Sequence, residues 1–153
     1  MNILYHGRRE KLELAQPLNA RFCELDELLE QSDFIVVAVD LNANTQHLID
    51  AEAFKKMQSH AVFVNISRGA VVDEQALIQA LEQKQIFAAG LDVYEKEPLQ
   101  DSALFQLHNV VTLPHVGSAT SVTRKKMAEL AYQNLVKALE GGQPQYVVNP
   151  EFR

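Results

Sequence analysis

Four side chains that could do chemistry follow apolar segments of this 153-residue sequence. In chain order they are Arg68, Asp92, Glu97 and His115. A histidine that hydrogen-bonds to a carboxylate keeps one tautomer and acts as a general acid or base near neutral pH. An arginine offers a bidentate fork to a substrate carboxylate and polarises an adjacent carbonyl. Together these groups suit the reduction of a 2-oxo acid, in which a nicotinamide gives the hydride and the histidine protonates the new oxygen.

Each of these residues also has a purely structural explanation. Arg68 could pair with Asp73 at the surface, and Glu97 lies in a charged loop where a glutamate is usually solvated. Asp92 could cap a turn, and His115 could be a hydrogen-bonded core residue. The functional interpretation is favoured because ligand sites of open α/β sheets lie at the carboxyl ends of strands, where all four residues are expected.

Short apolar runs alternate with helical periods along the chain. The pattern predicts strands over residues 2–5, 20–23, 34–39, 61–66, 87–93 and 110–113, and helices over residues 10–16, 26–31, 51–57, 73–83 and 119–140. This alternation predicts a parallel sheet with right-handed crossovers and helices on both faces, in which the β-branched run 34–39 is buried on both sides. Asp50 and Asp73 are predicted helix N-caps, Gly141 a helix stop, and Gly90 a point of close approach.

The composition excludes several classes of protein. Hydrophobic residues make up 47% of the chain and charged residues 22%, which excludes wholesale disorder. Fourteen basic and 20 acidic side chains give a net charge of −6, so we expect no nucleic-acid partner. No apolar run approaches the roughly 20 residues of a membrane helix, so we expect no membrane partner. The one cysteine, Cys23, is predicted to be a buried thiol in a reduced cytoplasmic setting.

Three segments carry a resemblance to a known family. They are Asn65–Asp73 (NISRGAVVD), Gly90–Pro98 (GLDVYEKEP) and Leu113–Thr120 (LPHVGSAT). In this order and spacing they resemble signatures of the D-isomer-specific 2-hydroxyacid dehydrogenases. The start Ile3–Arg9 and the end Val147–Pro150 most resemble the glyoxylate/hydroxypyruvate reductase and 2-ketogluconate reductase branch. The implied reaction reduces a small 2-oxo acid of the glyoxylate, hydroxypyruvate or 2-ketogluconate type to the D-2-hydroxy acid.

The resemblance implies a role for each of the four residues. Arg68 would bind the substrate carboxylate and carbonyl, and His115 would be the acid/base with Glu97 as its partner. Asp92 would lie near the nicotinamide carboxamide, whereas Glu95 would be only a loop residue. The implied cofactor-binding residues are Arg8, Arg9, Ile66, Ser67, Arg68, Asp92, His115 and Gly117, and no metal ligand is implied.

The end of the first predicted strand bears on the choice of cofactor. NAD-preferring Rossmann sites carry an acidic residue there for the ribose 2′-OH, whereas an arginine accommodates the 2′-phosphate. This chain has Arg8 and Arg9 and no acid before Glu10, which predicts NADP(H), with NAD(H) as the alternative. A solvated arginine pair ahead of a helix is the structural explanation. Asp40 departs from the family's usual proline and places a negative charge near an anionic ligand.

The resemblance also implies what this chain lacks. The family's cofactor domain opens with a strand, a Gly-rich turn and a helix, whereas the first predicted strand here matches the family's second. The six glycines are too widely spaced for a G-x-G-x-x-G turn. We therefore expect an α/β fold, a Rossmann-type parallel sheet lacking its first strand and Gly-rich loop. Because that strand is central, its two neighbours would lie about 10 Å apart with unpaired edges.

Residues 1–143 are then a partial NAD(P)-binding domain, and residues 144–153 a tail that would return to the absent substrate domain. We interpret such a chain as the C-terminal portion of a longer reductase, and expect it to be silent alone or to need a partner. The resemblance implies a homodimer formed through the cofactor domain. The alternative function is a catalytically silent dimerisation or nucleotide-sensing module, although retention of Arg68, Glu97 and His115 favours catalysis.

Overall fold

The structure is a computed structural model that describes residues 1–149. It divides into two compact units, one over Met1–Pro114 and a second that begins at His115. Residues 150–153, which end the predicted C-terminal tail and include Pro150, lie outside the described range. The predicted boundary between a cofactor domain and that tail, after residue 143, stays a prediction.

Within residues 1–114, strands and helices alternate as the sequence pattern predicts. The strands are β1 (Ile3–Tyr5), β2 (Ala20–Phe22), β3 (Phe34–Val37), β4 (Val62–Asn65), β5 (Ala88–Leu91) and β6 (Val110–Thr112). The α-helices are α1 (Leu12–Ala15), α2 (Leu25–Gln31), α3 (Ala51–Lys56) and α4 (Glu74–Glu82). Three 3₁₀ turns lie at Gln16–Leu18, Gly69–Val71 and Ala103–Gln106.

The strands of the first unit form two separate parallel sheets. One contains β1 and β2, with Ile3 opposite Ala20 and Tyr5 opposite Phe22. The other contains four strands in the order β3-β4-β5-β6. This arrangement confirms the predicted Rossmann-type sheet without its first strand, because in the full strand order that strand would lie between β1 and β3.

Only one face of the four-stranded sheet packs into the core of the first unit. Ile35, Phe63 and Ala89 point to this face and are at most 4% exposed, in a cluster with side chains of α2, α3 and α4. On the opposite face Phe34 is 69% and Val36 58% exposed. The prediction that residues 34–39 are buried on both sides is therefore wrong.

The one-sided packing has a topological cause. Strands β3 to β6 follow one another in chain order across the sheet, so each crossover runs in the same direction. Right-handed crossovers that all run in one direction place their connecting segments on the same face. The rule accounts for the connections between β3 and β6 only, since α1 connects β1 to β2, so the prediction of helices on both faces stays a prediction.

Local sequence signals for helix ends are confirmed. Asp50 Oδ1 accepts a hydrogen bond from the Ala53 N–H (2.9 Å), and Asp73 Oδ1 accepts one from the Ala76 N–H (3.0 Å). Asp73 thus serves as the N-cap of α4, which is a different role from the surface partner of Arg68 considered above.

The second unit contains one long helix, α5 (Ser121–Leu139), within residues 115–149. Its N-cap is Thr120, whose hydroxyl accepts from the Thr123 N–H (3.1 Å). Gly141 follows the helix with φ of +73°, a left-handed conformation that glycine adopts without strain. The predicted helix stop is therefore confirmed. None of the helices in residues 1–149 is long and apolar enough to cross a membrane.

Candidate functional site

Arg68 lies in a turn directly after β4, and the side chain of Asn65 sets the shape of that turn. Asn65 is 1% exposed, its Oδ1 accepts from the Ser67 N–H (3.0 Å) and its Nδ2 donates to the Arg68 carbonyl (3.2 Å). Ser67 Oγ accepts from the Arg68 N–H. The arginine itself is exposed, with Nη1 donating to the Ser67 carbonyl (2.7 Å). A buried amide therefore holds the backbone from which a solvent-accessible guanidinium projects.

Gly69 brings this turn into backbone contact with the loop that follows β5. A Cβ atom built on Gly69 would lie 1.8 Å from the carbonyl carbon of Tyr94 and 2.2 Å from the nitrogen of Glu95. No side chain can occupy that space, so only glycine allows the two loops to touch. The predicted close approach at Gly90 is much looser, because a Cβ there would meet Val64 Cγ2 at 3.8 Å, an ordinary contact.

Tyr94 organises the loop after β5. Its N–H donates to Glu97 Oε1 (3.0 Å), and its hydroxyl donates to the Leu113 carbonyl (2.8 Å), just beyond β6. Burial raises the pKa of the Tyr94 phenol, so the hydroxyl remains a donor at neutral pH. Tyr94 thus fixes the carboxylate of Glu97 on one side and the end of the neighbouring strand on the other.

Glu95 makes more contacts than sequence reasoning assigned to it. Its Oε1 lies 2.9 Å from Nε2 of His47 and accepts from the Glu74 N–H at the start of α4 (3.2 Å). Glu74 Oε2 in turn accepts from the Glu95 N–H (3.2 Å). Burial raises the pKa of the Glu74 carboxyl above its ordinary value of 4.5. Glu95 therefore connects the loop that bears Glu97 to the segment of His47 and to the start of α4.

Three predicted cofactor contacts lie at the ends of β4 and β5. They are Ile66, Ser67 and Asp92. Asp92 is 8% exposed, and its N–H donates to the Asn65 carbonyl (3.1 Å), which links the two strand ends. Ser67 is 7% exposed and Ile66 is 56% exposed. Of these side chains, Ile66 is therefore the accessible one, while the carboxylate of Asp92 is largely withdrawn from solvent.

His115 is the first residue of the second unit. It is exposed, as are Val116 and Gly117, and its backbone has φ of +54°. A left-handed conformation is uncommon for a residue other than glycine and concentrates at functional positions. The structure brings together the loops of Arg68 and Glu97 within the first unit. The joint action of these residues with His115 stays a prediction.

Arg8 and Arg9 are exposed directly after β1, and no side chain with a negative charge lies between them and the strand. The strand end itself is fixed, because His6 Nδ1 lies 3.0 Å from the Cys23 carbonyl, which can only accept. Two guanidinium groups at a strand end are suitable donors for a phosphate, so these residues fit a phosphorylated nucleotide ribose.

Asp40 lies in the loop after β3. Its carbonyl accepts from the Thr45 hydroxyl (2.6 Å), and the residue is exposed. Solvent screening reduces the effect of its charge on a neighbouring anion. Cys23, by contrast, is 5% exposed, and burial raises the pKa of its thiol, as expected for a structural cysteine.

Comparison with known proteins gives a family-level match. Residues 1–117 match the family model described as D-isomer specific 2-hydroxyacid dehydrogenase, NAD binding domain. The chain is similar to glyoxylate/hydroxypyruvate reductase B of Cronobacter sakazakii, with 53% identity over 152 residues, which are 99% of this chain and 47% of that protein. It therefore spans about half the length of this relative and corresponds to the C-terminal portion.

Solved structures agree with this match. The crystal structure of a glyoxylate reductase from Paecilomyes thermophila is 41% identical with a TM-score of 0.83, covering 100% of this chain and 46% of that one. That of an NADPH-dependent glyoxylate/hydroxypyruvate reductase from Sinorhizobium meliloti, in complex with NADP and malonate, is 35% identical with a TM-score of 0.85. It covers 97% of this chain and 46% of that one.

Proposed function

The chain belongs to the D-isomer-specific 2-hydroxyacid dehydrogenases, and on this premise we propose that it carries the catalytic groups of a 2-oxo acid reductase. The substrate class is a small 2-oxo acid of the glyoxylate, hydroxypyruvate or 2-ketogluconate type, and the product is the D-2-hydroxy acid. The observation that carries the proposal is the backbone contact of Gly69 with Tyr94, because it holds the arginine turn against the loop of Glu97.

Each proposed catalytic residue has one task. The Arg68 guanidinium binds the substrate carboxylate through two parallel hydrogen bonds and polarises the neighbouring carbonyl. A bound reduced nicotinamide supplies the hydride that adds to the carbonyl carbon. The imidazolium of His115 gives its proton to the carbonyl oxygen, so that the C=O group becomes CH–OH and the histidine becomes neutral. Glu97 is the carboxylate partner that stabilises the imidazolium before the transfer.

The proposed cofactor is NADP(H), with NAD(H) as the second choice. Arg8 and Arg9 would hold the 2′-phosphate, and Ile66, Ser67, Asp92 and Gly117 would line the remainder of the site. Support comes from the exposed arginine pair after β1 and from the Sinorhizobium meliloti relative, whose crystal structure is a complex with NADP. A cytoplasmic location belongs to the same proposal, since Cys23 is an unpaired, buried thiol.

A second candidate is a dimerisation or nucleotide-sensing module without catalysis. It is supported by the apolar side chains that α5 exposes, among them Met127 (55%), Leu130 (42%) and Leu135 (58%). A helix with such a surface suits a homodimer interface, and that interface could persist without turnover. The two candidates differ in whether Arg68 and His115 support chemistry when the rest of the enzyme is present.

A chimera tests the proposed function. In it, this chain replaces the 152 matched residues of the Cronobacter sakazakii reductase, and reduction of glyoxylate and hydroxypyruvate is followed with NADPH and NADH. We expect activity in the chimera, a loss of about 100-fold or more in kcat/KM for Arg68→Gln, and an even larger loss for His115→Asn. Arg124→Gln, which removes an exposed arginine from α5, is the matched control and should retain activity. A folded chimera that binds NADPH without turnover would favour the second candidate.

A further inference from the structure

Three polar side chains of the first unit meet beside the loop that bears Glu97. Glu95 Oε1 lies 2.9 Å from His47 Nε2 and accepts from the Glu74 N–H (3.2 Å). Glu74 Oε2 accepts from the Glu95 N–H (3.2 Å), so the two glutamates exchange hydrogen bonds. We call His47, Glu74 and Glu95 the Glu95 cluster. The proposed reaction gives none of the three a task, so the cluster needs an explanation of its own.

The Glu95 cluster fixes one peptide unit, which consists of the Tyr94 carbonyl and the Glu95 N–H. The carbonyl packs so closely on Gly69 that a Cβ on that glycine would collide with it. The N–H donates to the carboxylate of Glu74, which is half-buried at the start of α4. The side chain of Glu95 extends from the same unit to His47. The unit is therefore fixed at its carbonyl, at its N–H and through a side chain.

The carboxylate of Glu97 depends on the position of this peptide unit. The Tyr94 N–H, which donates to Glu97 Oε1 (3.0 Å), lies on the other side of the same Cα atom. Tyr94 is buried and Leu99 is half-buried, whereas residues 95–98 between them are all exposed. Burial therefore does not hold this part of the loop, and polar contacts such as those of the Glu95 cluster have to restrain it.

His47 reaches Glu95 from a segment that is itself bonded to the turn after Arg68. Its N–H donates to the Ala70 carbonyl (2.9 Å). Its backbone has φ of +49°, a conformation that is uncommon outside glycine and costs conformational energy unless the surroundings impose it. The contact of His47 with Glu95 therefore joins the turn of Arg68 to the loop of Glu97 a second time, in addition to the glycine contact.

Stability alone gives the pair of His47 and Glu95 little purpose. The two side chains are 45% and 37% exposed, and a pair this exposed adds little to the free energy of unfolding, because solvent screens the charges. His60 and Asp33 form a similar pair (2.7 Å) that is still more exposed. The position of a carboxylate in a reaction is a stricter requirement, since a displacement of about 1 Å can lower a rate by about 100-fold.

We propose that Glu95 is a positioning residue for the reduction of the 2-oxo acid, and that through His47 and Glu74 it keeps the Glu97 carboxylate where it stabilises the imidazolium of the acid/base. This inference rests on the proposed function, because it requires Glu97 to be the partner of a catalytic histidine. Glu95 has no contact with the substrate in this mechanism and acts only through Glu97.

The chimera measures the effect of Glu95 on the reaction. Glu97→Gln should lower kcat and shift the alkaline limb of the pH–kcat profile to lower pH, because an imidazolium without its carboxylate loses its proton more readily. Glu95→Ala should act in the same direction and lower kcat by about tenfold or more, while the KM for NADPH changes by less than about twofold. Glu95→Gln keeps the acceptor oxygen and should recover most of the lost kcat.

A double substitution distinguishes positioning from a general structural role. Once Glu97→Gln has removed the carboxylate, adding Glu95→Ala should shift the pH profile no further, because Glu95 then has no carboxylate to position. A general structural role would lower kcat by the same factor with and without Glu97→Gln, and that result would overturn the proposal.

Two histidines form the matched control. His47→Ala removes the ring that contacts Glu95, and His60→Ala removes the ring that contacts Asp33. His47→Ala should lower kcat by about threefold or more and shift the profile as Glu95→Ala does, whereas His60→Ala should leave both unchanged. If Glu95→Ala does not fold, His47→Ala, which retains both hydrogen bonds between Glu74 and Glu95, replaces it. Equal effects of the two histidine variants would count against the proposal.

Amide exchange separates this inference from the proposed function, because it requires no turnover. In the full chain, Glu95→Ala should accelerate hydrogen exchange of the Tyr94 N–H, the donor to Glu97, by about tenfold or more. An inactive chimera would count against the proposed function, and accelerated exchange would then still support the restraint of Glu97 by Glu95. Exchange of the Tyr94 N–H that stays unchanged would overturn the inference whatever the activity.

Discussion

Gly69 and Tyr94 are in backbone contact, so that a Cβ on Gly69 would lie 1.8 Å from the Tyr94 carbonyl carbon. This contact joins the turn of Arg68 to the loop in which the Tyr94 N–H donates to Glu97 (3.0 Å). The positions of a cationic and an anionic side chain therefore depend on the lack of a side chain at one residue.

The substitution Gly69→Ala should destabilise the protein by about 3 kcal/mol or more, because the backbone of Tyr94 has to move to admit the methyl group. Urea unfolding measures the free energy of unfolding. Gly7→Ala is the control, since no atom lies within 4 Å of a Cβ at that position, and its effect should stay within about 0.5 kcal/mol. Equal stability of the two variants would contradict the close contact.

Asn65 should be needed for the placement of Arg68 as well as for stability. Asn65→Ala removes the acceptor of the Ser67 N–H and the donor to the Arg68 carbonyl, which we expect to cost about 1–3 kcal/mol. Asn65→Asp keeps the acceptor and should recover part of that loss. In the chimera, the KM for the 2-oxo acid should rise more for the alanine variant than for the aspartate variant. Unchanged KM in both would show that the turn does not position the arginine.

Glu74 should make stability depend on pH in the weakly acidic range. Burial raises its folded-state pKa above 4.5, so the folded state binds a proton more tightly than the unfolded state. The stability that the protonated carboxyl contributes is fully present below the unfolded-state pKa and is lost as the pH rises through the folded-state pKa. Glu74→Gln cannot titrate, so its stability relative to the unmodified chain should improve between about pH 4 and pH 7. Urea unfolding across this range, with exposed Glu82→Gln as control, measures the difference.

The arginine pair after β1 should determine cofactor preference in the chimera. Arg8→Glu places a carboxylate where the 2′-phosphate is proposed to bind, so the KM for NADPH should rise by about tenfold or more. The KM for NADH should stay the same or fall, because its 2′-OH can donate to the new carboxylate. Arg9→Glu should have a smaller effect in the same direction. A uniform rise in both KM values would indicate general damage to the strand end.

Sequence patterns predicted those features that depend on neighbours along the chain. The caps Asp50 and Asp73 are confirmed, since a cap needs only the next few residues. The burial of Phe34 and Val36 was predicted wrongly, because a run of β-branched residues identifies a strand and carries no information on which faces are covered. Strand order and crossover direction decide that, and they are properties of the whole sheet.

In the candidate site too, local features were predicted from the sequence and contacts between distant segments were not. The predicted strands placed Arg68, Asp92 and Glu97 after their carboxyl ends, and the structure has Arg68 after β4 and Asp92 and Glu97 after β5. The contacts of Glu95 were not predicted from the sequence, because its partners, His47 and Glu74, come from distant parts of the chain. Tyr94 offered a usable signal, because a tyrosine inside a charged loop is unusual. Its ring is buried and its hydroxyl donates to the Leu113 carbonyl.

The separation of β1 and β2 from the larger sheet bears on how the chain unfolds. The two strands share three residue pairs with one another and belong to a different ladder from β3 to β6. An isolated two-stranded pair is marginal in water, whereas the four-stranded sheet with its apolar core has the contacts of a cooperative unit. The amino-terminal pair should therefore open at lower denaturant concentration than the sheet, and the unfolding curve of the chain should depart from two-state behaviour.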